Sequence, residues 1–442
     1  MINIKIFRFI RRSTLLLSQI FLIFAFGCGP AATPIIIDLP TSTSVPDQPT
    51  QTPATPNLPV AIPTITTTPF IPRGVIKIFS HVPLSGDQAA LGRDILRGTE
   101  LAIEHLSGPL NEYGYKVELV SYDDQNLVAT ARANAQQIVA DPEILCGVGH
   151  YDDAVTISAS DIYHLAGLSL ISPSITAPLL TDRNYREVNR VIGRADGQGV
   201  AAAQFAISQQ FGSVFVVSPE NQDRLLIAEY FRRDSTNLGI QLLGMRVGNV
   251  TDVNIDQIIR QIMAANPDLV FTSSTADQAI PLLTELRAAG YMGTFLGTEE
   301  LDNPALLSEA GTSLLEGGGM YLTIMSPPAQ YFPTTEQFVW EYNTKYGEEP
   351  LDLAARAYDA TGMCLLGIEK AIEELGDVVP TRADVARAIR RLNDYDGLTG
   401  TYDFNREGDP DPVPYYVLQI TSVDAANWNQ NPIVAAYEII PP

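Results

Sequence analysis

The sequence predicts an α/β protein whose body is two doubly wound lobes, each a mostly parallel sheet with helices on both faces. Three observations carry this expectation. Short apolar runs alternate with longer segments of helical period, as βα units require. The alternation runs once between Val75 and Ser174 and restarts at Ser213. The body from Arg73 to Pro442 is about 370 residues, more than one ordinary core encloses.

The elements follow in order. VIKIFSHVP, Val75 to Pro83, is a first buried strand, and a helix runs from about Gln88 to Leu106. Lys116 to Tyr122 is a second strand, with a helix over Leu127 to Ala140. Ile144 to Val148 is a third strand with its helix at Ala154 to Leu165, and LSLISPS, Leu168 to Ser174, is a fourth. The second series has strands at Ser213 to Ser218, Ile240 to Val247, Leu269 to Thr272 and Thr294 to Gly297. Its helices lie at Gln222 to Asn237, Asn254 to Ala265 and Asp277 to Ala289. Strands joined by helices imply parallel sheets buried on both faces. After Met320 the pattern turns helical, at Glu336 to Tyr346, Leu353 to Leu375 and Arg382 to Leu392. The end is strand-like again: Thr399 to Phe404, Pro414 to Ile420 and Ile433 to Ile439.

The start of the chain has another character. Lys5, Arg8, Arg11 and Arg12 precede a twelve-residue apolar run, Leu15 to Phe26, too short to span a bilayer. This is the pattern of an export signal, residues 1 to 28. It ends in AFGC, which resembles the lipobox of bacterial lipoproteins and would make Cys28 the lipidated residue; the plainer alternative is a cleaved signal with an incidental cysteine. Of the 44 residues from 29 to 72, 11 are Pro and 10 are Thr, and only Asp38 and Asp47 are charged. Such a stretch buries too little apolar surface to offset its ordering entropy. Residues 29 to 72 therefore read as an extended tether of roughly 100 Å or less. An exported, cell-surface or periplasmic protein anchored to the membrane by its lipid is the expectation.

The chain carries a formal charge of −23, and loss of the four leader cations makes the body more acidic still. Such a field does not attract nucleic acid, and it repels anionic lipid, so membrane contact is expected through the anchor alone. Beyond Cys28 there are only Cys146, in a predicted strand, and Cys364, in a predicted helix. Two buried thiols are the plain reading; a disulfide would suit an oxidising compartment, but spacing cannot bring them together.

Enzyme motifs are missing: GxxxxGK[ST], HExxH and GxSxG do not occur. Gly147-Val148-Gly149 is only a fragment of a dinucleotide loop. The histidines, at 81, 105, 150 and 164, form no pair at metal-ligand spacing in the sequence; His150, at a strand end, is the one placed to line a cleft. No catalytic residue, metal or cofactor is expected. Because ligands of open α/β sheets bind beyond the carboxyl ends of the strands, the loops there are where binding residues are sought.

One of those loops is GVGHYDDAVTISASDIY, Gly147 to Tyr163. A helix N-terminus suits an anion, yet Asp152 and Asp153 stand in it.

Several segments resemble, in order, the extracellular binding proteins for branched-chain amino acids and related ligands, of the type I periplasmic-binding-protein fold. They are HVPLSGDQAALGRDILRGTELAIE, YDDQN, SASDIY, ISPSITAPLLT, GRADGQG, FLGTEELDN and TGTYDFNREGD. The resemblance spans nearly the whole body. It implies two lobes joined by three crossovers, with a small-molecule ligand clamped between them and delivered to ABC permease subunits. One lobe would hold residues 74 to 194 and 322 to 397, the other 195 to 321 and 398 to 440.

Residue by residue, the resemblance implies a ligand site at Leu91, where the family often has an aromatic wall, Tyr151 and Asp153 after the third strand, and Ser174, Ile175 and Thr176 after the fourth. From the other lobe Glu299 would hold an ammonium. Asp223, Ser274 and Thr275 stand where relatives often show other residues, which argues for a more polar or roomier pocket than a leucine site. A zwitterion needs donors at one end and an acceptor at the other, which helix N-termini with Thr176, and Glu299, would provide. Asp153 departs from that scheme, since a carboxylate repels a ligand carboxylate. It is read as the N-cap of its helix, as a contact to an amine or amide, or as a register neighbour of Thr156, which would then supply the hydroxyl. The resulting functional reading is a lipid-anchored solute-binding protein of an ABC importer. A signalling lipoprotein using the same clamp without transport is the alternative.

Overall fold

The computed structural model describes residues 72–302 and 304–442; the predicted leader, Cys28 and nearly all of the Pro/Thr-rich stretch lie outside them. The first series of elements is β1 (Gly74–Val82), α1 (Ala89–Leu106), α2 (Gly108–Glu112), β2 (Tyr115–Asp123), α3 (Val128–Ala140), β3 (Ile144–Gly149), α4 (Asp153–Leu165), β4 (Ser169–Ser172), α5 (Leu179–Asp182) and β5 (Val188–Arg190). Its five strands form a parallel sheet in the order β2-β1-β3-β4-β5.

The second series is α6 (Ala195–Ser208), β6 (Ser213–Ser218), α7 (Gln222–Asn237), β7 (Gln241–Val247), α8 (Ile255–Ala265), β8 (Leu269–Thr272), α9 (Ala276–Ala288), β9 (Thr294–Thr298), α10 (Pro304–Ala310) and β10 (Met320–Ile324). Then come α11 (Glu336–Tyr346), α12 (Ala354–Leu375), α13 (Arg382–Ile389), β11 (Tyr395–Asp396), β12 (Thr401–Tyr402), β13 (Val413–Gln419) and β14 (Ile433–Ile439). The second sheet runs β14-β13-β10-β9-β8-β6-β7, parallel from β7 to β10 and antiparallel at β13 and β14. The two-lobed α/β fold expected from the alternation is the observed one. Every residue of β3, β4 and β8 is buried, which is why these strands read as unbroken apolar runs and not as alternations.

Three elements escaped the pattern. MYLTI is not the start of a helical region but strand β10, so the chain stays in the second sheet through Ile324. α6 was hidden because ten of its fourteen residues are buried and no polar face marks the helical period. β5 is only three residues long. Of the predicted strand Thr399 to Phe404, only Thr401–Tyr402 pairs as β12.

Helix α12 packs along α1, and the crossing is close because Gly98 has no side chain; a Cβ there would stand 2.0 Å from the carbonyl oxygen of Ala354. α12 also carries Cys364, which is bonded to Cys146 of β3 with Cα atoms 5.8 Å apart. The two cysteines are therefore a disulfide and not separate thiols, a pairing that a sequence separation of 218 conceals. Arg356, buried near the start of α12, ties the chain segments that link the two sheets. Its guanidinium donates to the carbonyls of Val191 (2.7 Å) and Met325 (2.6 Å) and to the hydroxyls of Ser326 (2.8 Å) and Tyr402 (3.3 Å).

Candidate functional site

The strands of both sheets present their carboxyl ends to one cavity of about 210 Å³. The first sheet and its helices contribute Leu91 of α1, Tyr151 after β3, Ser174 and Thr176 after β4, and Asp352 and Leu353 ahead of α12. The second sheet contributes Glu299 and Asp302 after β9, and Ile324 at the end of β10. Ile192, Met325 and Ser326, on segments linking the sheets, complete the lining. This is where doubly wound sheets bind ligands, since loops diverge beyond the strand ends where the winding reverses.

On the first wall the backbone is locked from beneath. Gly149 has φ +143°, and a Cβ there would stand 2.2 Å from the carbonyl of His81, so the turn out of β3 requires glycine. The next residue, His150, does not line the cleft; its ring is fully buried below it. Nδ1 of His150 is 2.8 Å from a carboxylate oxygen of Asp124, and Nε2 is 3.3 Å from the Tyr163 hydroxyl. That hydroxyl lies 2.8 Å from Nδ1 of His81, whose Nε2 faces the Asn134 amide at 3.3 Å. Burial, and then the neighbouring His150, push His81 well below the ordinary imidazole range, so it is neutral. His81, Asp124 and His150 place their ligating atoms within 4.8 Å of one another, a gathering of metal-ligand types that sequence spacing had seemed to exclude. Each ring nitrogen already faces a protein hydrogen-bond partner, so the set reads as a polar relay supporting the loop. The loop in turn holds Ser174, whose Oγ donates to the carbonyl of His150 at 2.7 Å.

The N-cap of α4 is Asp152, not Asp153: Oδ1 of Asp152 accepts from the N–H of Val155 at 3.0 Å. Asp153, the first helical residue, instead accepts from the N–H of Ala177 at 3.3 Å and so joins α4 to the loop after β4. Burial pushes Asp153 up; the Ala177 N–H opposes this, and the charge of Asp223 reinforces it. Thr156 is no substitute ligand group. It is buried, and its hydroxyl donates to the carbonyl of Asp152 within the helix. The backbone of Ile175 is also spent: its carbonyl accepts from Arg190 at 2.7 Å and its N–H donates to Ser172 at 3.2 Å.

On the second wall Glu299 follows β9 directly. Nε2 of Gln198 donates to it at 2.6 Å and to the carbonyl of Thr323 at 2.8 Å. Burial, and then the charge of Glu300, push the Glu299 carboxyl up to about 8, with Gln198 only partly offsetting them. Burial pushes Asp302 up to about 7. Asp352 is also raised to about 7, by burial first and then by the charges of Asp302 and Asp94, against the opposing field of Arg356. Arg224, the cation nearest in sequence pattern to this wall, is paired with Glu300 at 3.0 Å.

Of the residues expected from the sequence, Leu91, Tyr151, Ser174, Thr176 and Glu299 line the cavity. Asp153, Ile175, Asp223, Ser274 and Thr275 do not. Asp223 is exposed in the first turn of α7, Ser274 is buried, and Thr275 precedes α9. Sequence reasoning missed Asp302 and Asp352. Asp302 stands in the quoted segment FLGTEELDN, where neighbouring acids give no sign of which of them enter the cleft. Asp352 carries no local signal at all, because only the return of the chain at α12 brings it to the cleft.

The family model for periplasmic binding proteins matches residues 75–426. The chain belongs to that family. A Pseudomonas aeruginosa protein named as binding leucine, isoleucine, valine, threonine and alanine is 28% identical over 337 residues, covering 76% of this chain and 87% of the relative. A Leu/Ile/Val-binding protein homolog of Brucella abortus is 24% identical over 348 residues, covering 78% and 91%. Among solved structures, a leucine-binding protein of Thermotoga maritima superposes with a TM-score of 0.64 at 24% identity, over 83% of this chain and 99% of its own. A solute-binding protein of an R. palustris ABC transporter, in complex with benzoate, gives 0.63 at 18%, over 83% and 98%. At these identities the structural likenesses speak to the two-lobed fold of this family member. Among its described residues, no helix is long and apolar enough to cross a membrane.

Proposed function

We propose that this chain is the solute-binding component of an ABC importer, clamping a small amino-acid-like or amide ligand between its lobes and passing it to permease subunits. One observation carries the reading. A single cavity at the carboxyl ends of both sheets is lined by hydroxyls from one wall and by Glu299 from the other. Ser174, Thr176 and Tyr151 are the groups to orient the polar end of a ligand, and Glu299 is the acceptor for its ammonium. An arriving ammonium favours the ionised carboxylate, so binding draws the proton off Glu299. The relatives from Pseudomonas aeruginosa and Brucella abortus, named for binding amino acids, support the ligand class.

Within this reading one lobe is residues 74 to 194 with 325 to 397 and the other is 195 to 324 with 398 to 440, the expected bound at 321/322 being moved past Ile324 so that β10 stays whole. Cys28 carries the lipid, and the segment to residue 72 is the tether that leaves the clamp free above the membrane. Replacing Cys28 with Ser is expected to move the protein from the membrane fraction to the medium or periplasm.

Thermal unfolding against amino acids, amides, polyamines and nucleosides tests the clamp. A ligand at 100 times its Kd adds about 2.7 kcal/mol. Glu299→Ala is expected to abolish that gain for ligands bearing an ammonium. No gain from any of these classes would end the proposal.

A further inference from the structure

The cavity has more negative groups than an amino acid with an uncharged side chain can use. Glu299, Asp302 and Asp352 all line it, and Lys, Arg and His are absent from its lining. The three acids come from both sides of the cleft: two follow β9, and Asp352 precedes α12. Among the described residues, none of the three is in an ion pair, whereas their neighbour Glu300 is taken up by Arg224. Bringing carboxylates together as a cleft closes is unfavourable unless a cation comes between them.

A second feature lies behind Glu299. Gln198 is wholly buried, holds Glu299 through Nε2 and leaves Oε1 without a partner; the buried hydroxyl of Thr298, beside Glu299 in the chain, is likewise unpartnered. Leu91, Ile192, Ile324 and Leu353 add aliphatic wall to the same cavity, suited to a methylene spacer.

Resting on the solute-binding reading, we infer that the ligand carries two cationic nitrogens, one held at Glu299 and the second between Asp302 and Asp352. A diamino acid or a short diamine has this chemistry, and an aliphatic amino acid does not. Asp302 lies close enough to Asp352 for its charge to raise that carboxyl, consistent with a shared partner.

The experiment is calorimetric titration of the purified protein with L-ornithine, 1,4-diaminobutane and L-leucine at one pH and ionic strength. At least one diamino compound is expected to bind about tenfold or more tighter than leucine. Asp352→Asn and, from the opposite wall, Asp302→Asn are each expected to lower that preference about tenfold. An unchanged unfolding temperature identifies variants that remain folded, and the two walls provide independent tests. Leucine binding as tightly as the diamino compounds, or a preference indifferent to both substitutions, overturns the inference and leaves the solute-binding reading standing. Absence of binding by both diamino compounds overturns it as well. The fate of the broader reading is then decided by the ligand classes of the thermal screen.

Discussion

Two groups of charged residues are built on opposite principles, one buried around Asp409 and the other half-buried in the lining of the cavity. In the first, Arg190 and Arg194 meet Asp409. Arg190 Nε is 2.7 Å from one oxygen and Arg194 Nη1 is 3.3 Å from the other. Arg194 also grips Asp196 with two hydrogen bonds, at 3.0 and 2.7 Å, and pairs with Asp182 at 2.9 Å. Arg190 spends its remaining donors on the carbonyls of Ile175 and Ala177 and on the hydroxyl of Thr181. In the second group, Glu299, Asp302 and Asp352 face the cavity without ion pairs among the described residues. Full pairing locks β5, α5 and the start of α6 to the returning chain, whereas missing partners leave a demand for a ligand to meet.

Breaking the first group should have the largest effect. Asp409→Ala leaves two buried guanidinium groups short of a carboxylate and is expected to lower unfolding free energy by about 3–5 kcal/mol in urea denaturation. Ligand affinity in the surviving folded fraction should change far less. A loss below about 1 kcal/mol would show that the pairing contributes little and would erase the contrast.

The disulfide offers the next largest effect, and one that does not depend on charge. Cys146→Ser with Cys364→Ser is expected to cost about 2–4 kcal/mol, at a distance from either charged group, with the ligand profile unchanged. A shift in ligand preference would mean that the β3–α12 tie also sets the cleft.

The second group should behave in the reverse sense. Its carboxyls are raised to about 8, 7 and 7, from ordinary values of 4.5 and 3.8. A raised acid favours the folded state when protonated. Its contribution is therefore full below about pH 4 and is lost as pH climbs through 7 to 8. The triple variant Glu299→Gln, Asp302→Asn, Asp352→Asn should match the empty parent near pH 4. At pH 8.5 it should be more stable, on the order of 1 kcal/mol after solvent screening. Parallel melting curves of parent and variant across that range would contradict the assignment. Arrival of an amine should release protons near pH 7, measurable as a binding enthalpy that changes with the ionisation heat of the buffer.

The smallest effect separates two neighbouring acids. Asp152→Ala removes the cap of α4 and should cost about 1 kcal/mol. Asp153→Ala should cost less, because its single contact to the Ala177 N–H is long. Equal losses in thermal melts would mean that the cap is shared between them.

The sequence by itself determined the alternation of strand and helix, because fully buried parallel strands are apolar runs and most surface helices keep a stripe. The family resemblance pointed to Leu91, Tyr151, Ser174, Thr176 and Glu299, of which all but Leu91 of α1 follow the carboxyl ends of strands. α6 and β10 were not legible, the one buried over most of its surface, Asp196 and Gln198 included, and the other five residues long, because period needs a polar face or length to show. Only the tertiary structure decided that Cys146 meets Cys364, that His81, Asp124 and His150 share one buried relay, and that Asp352 joins Glu299 and Asp302. Each of these needs the chain to return from far along its length. The energies that bring it back are those of packing across α12 and the two sheets, which no local pattern records.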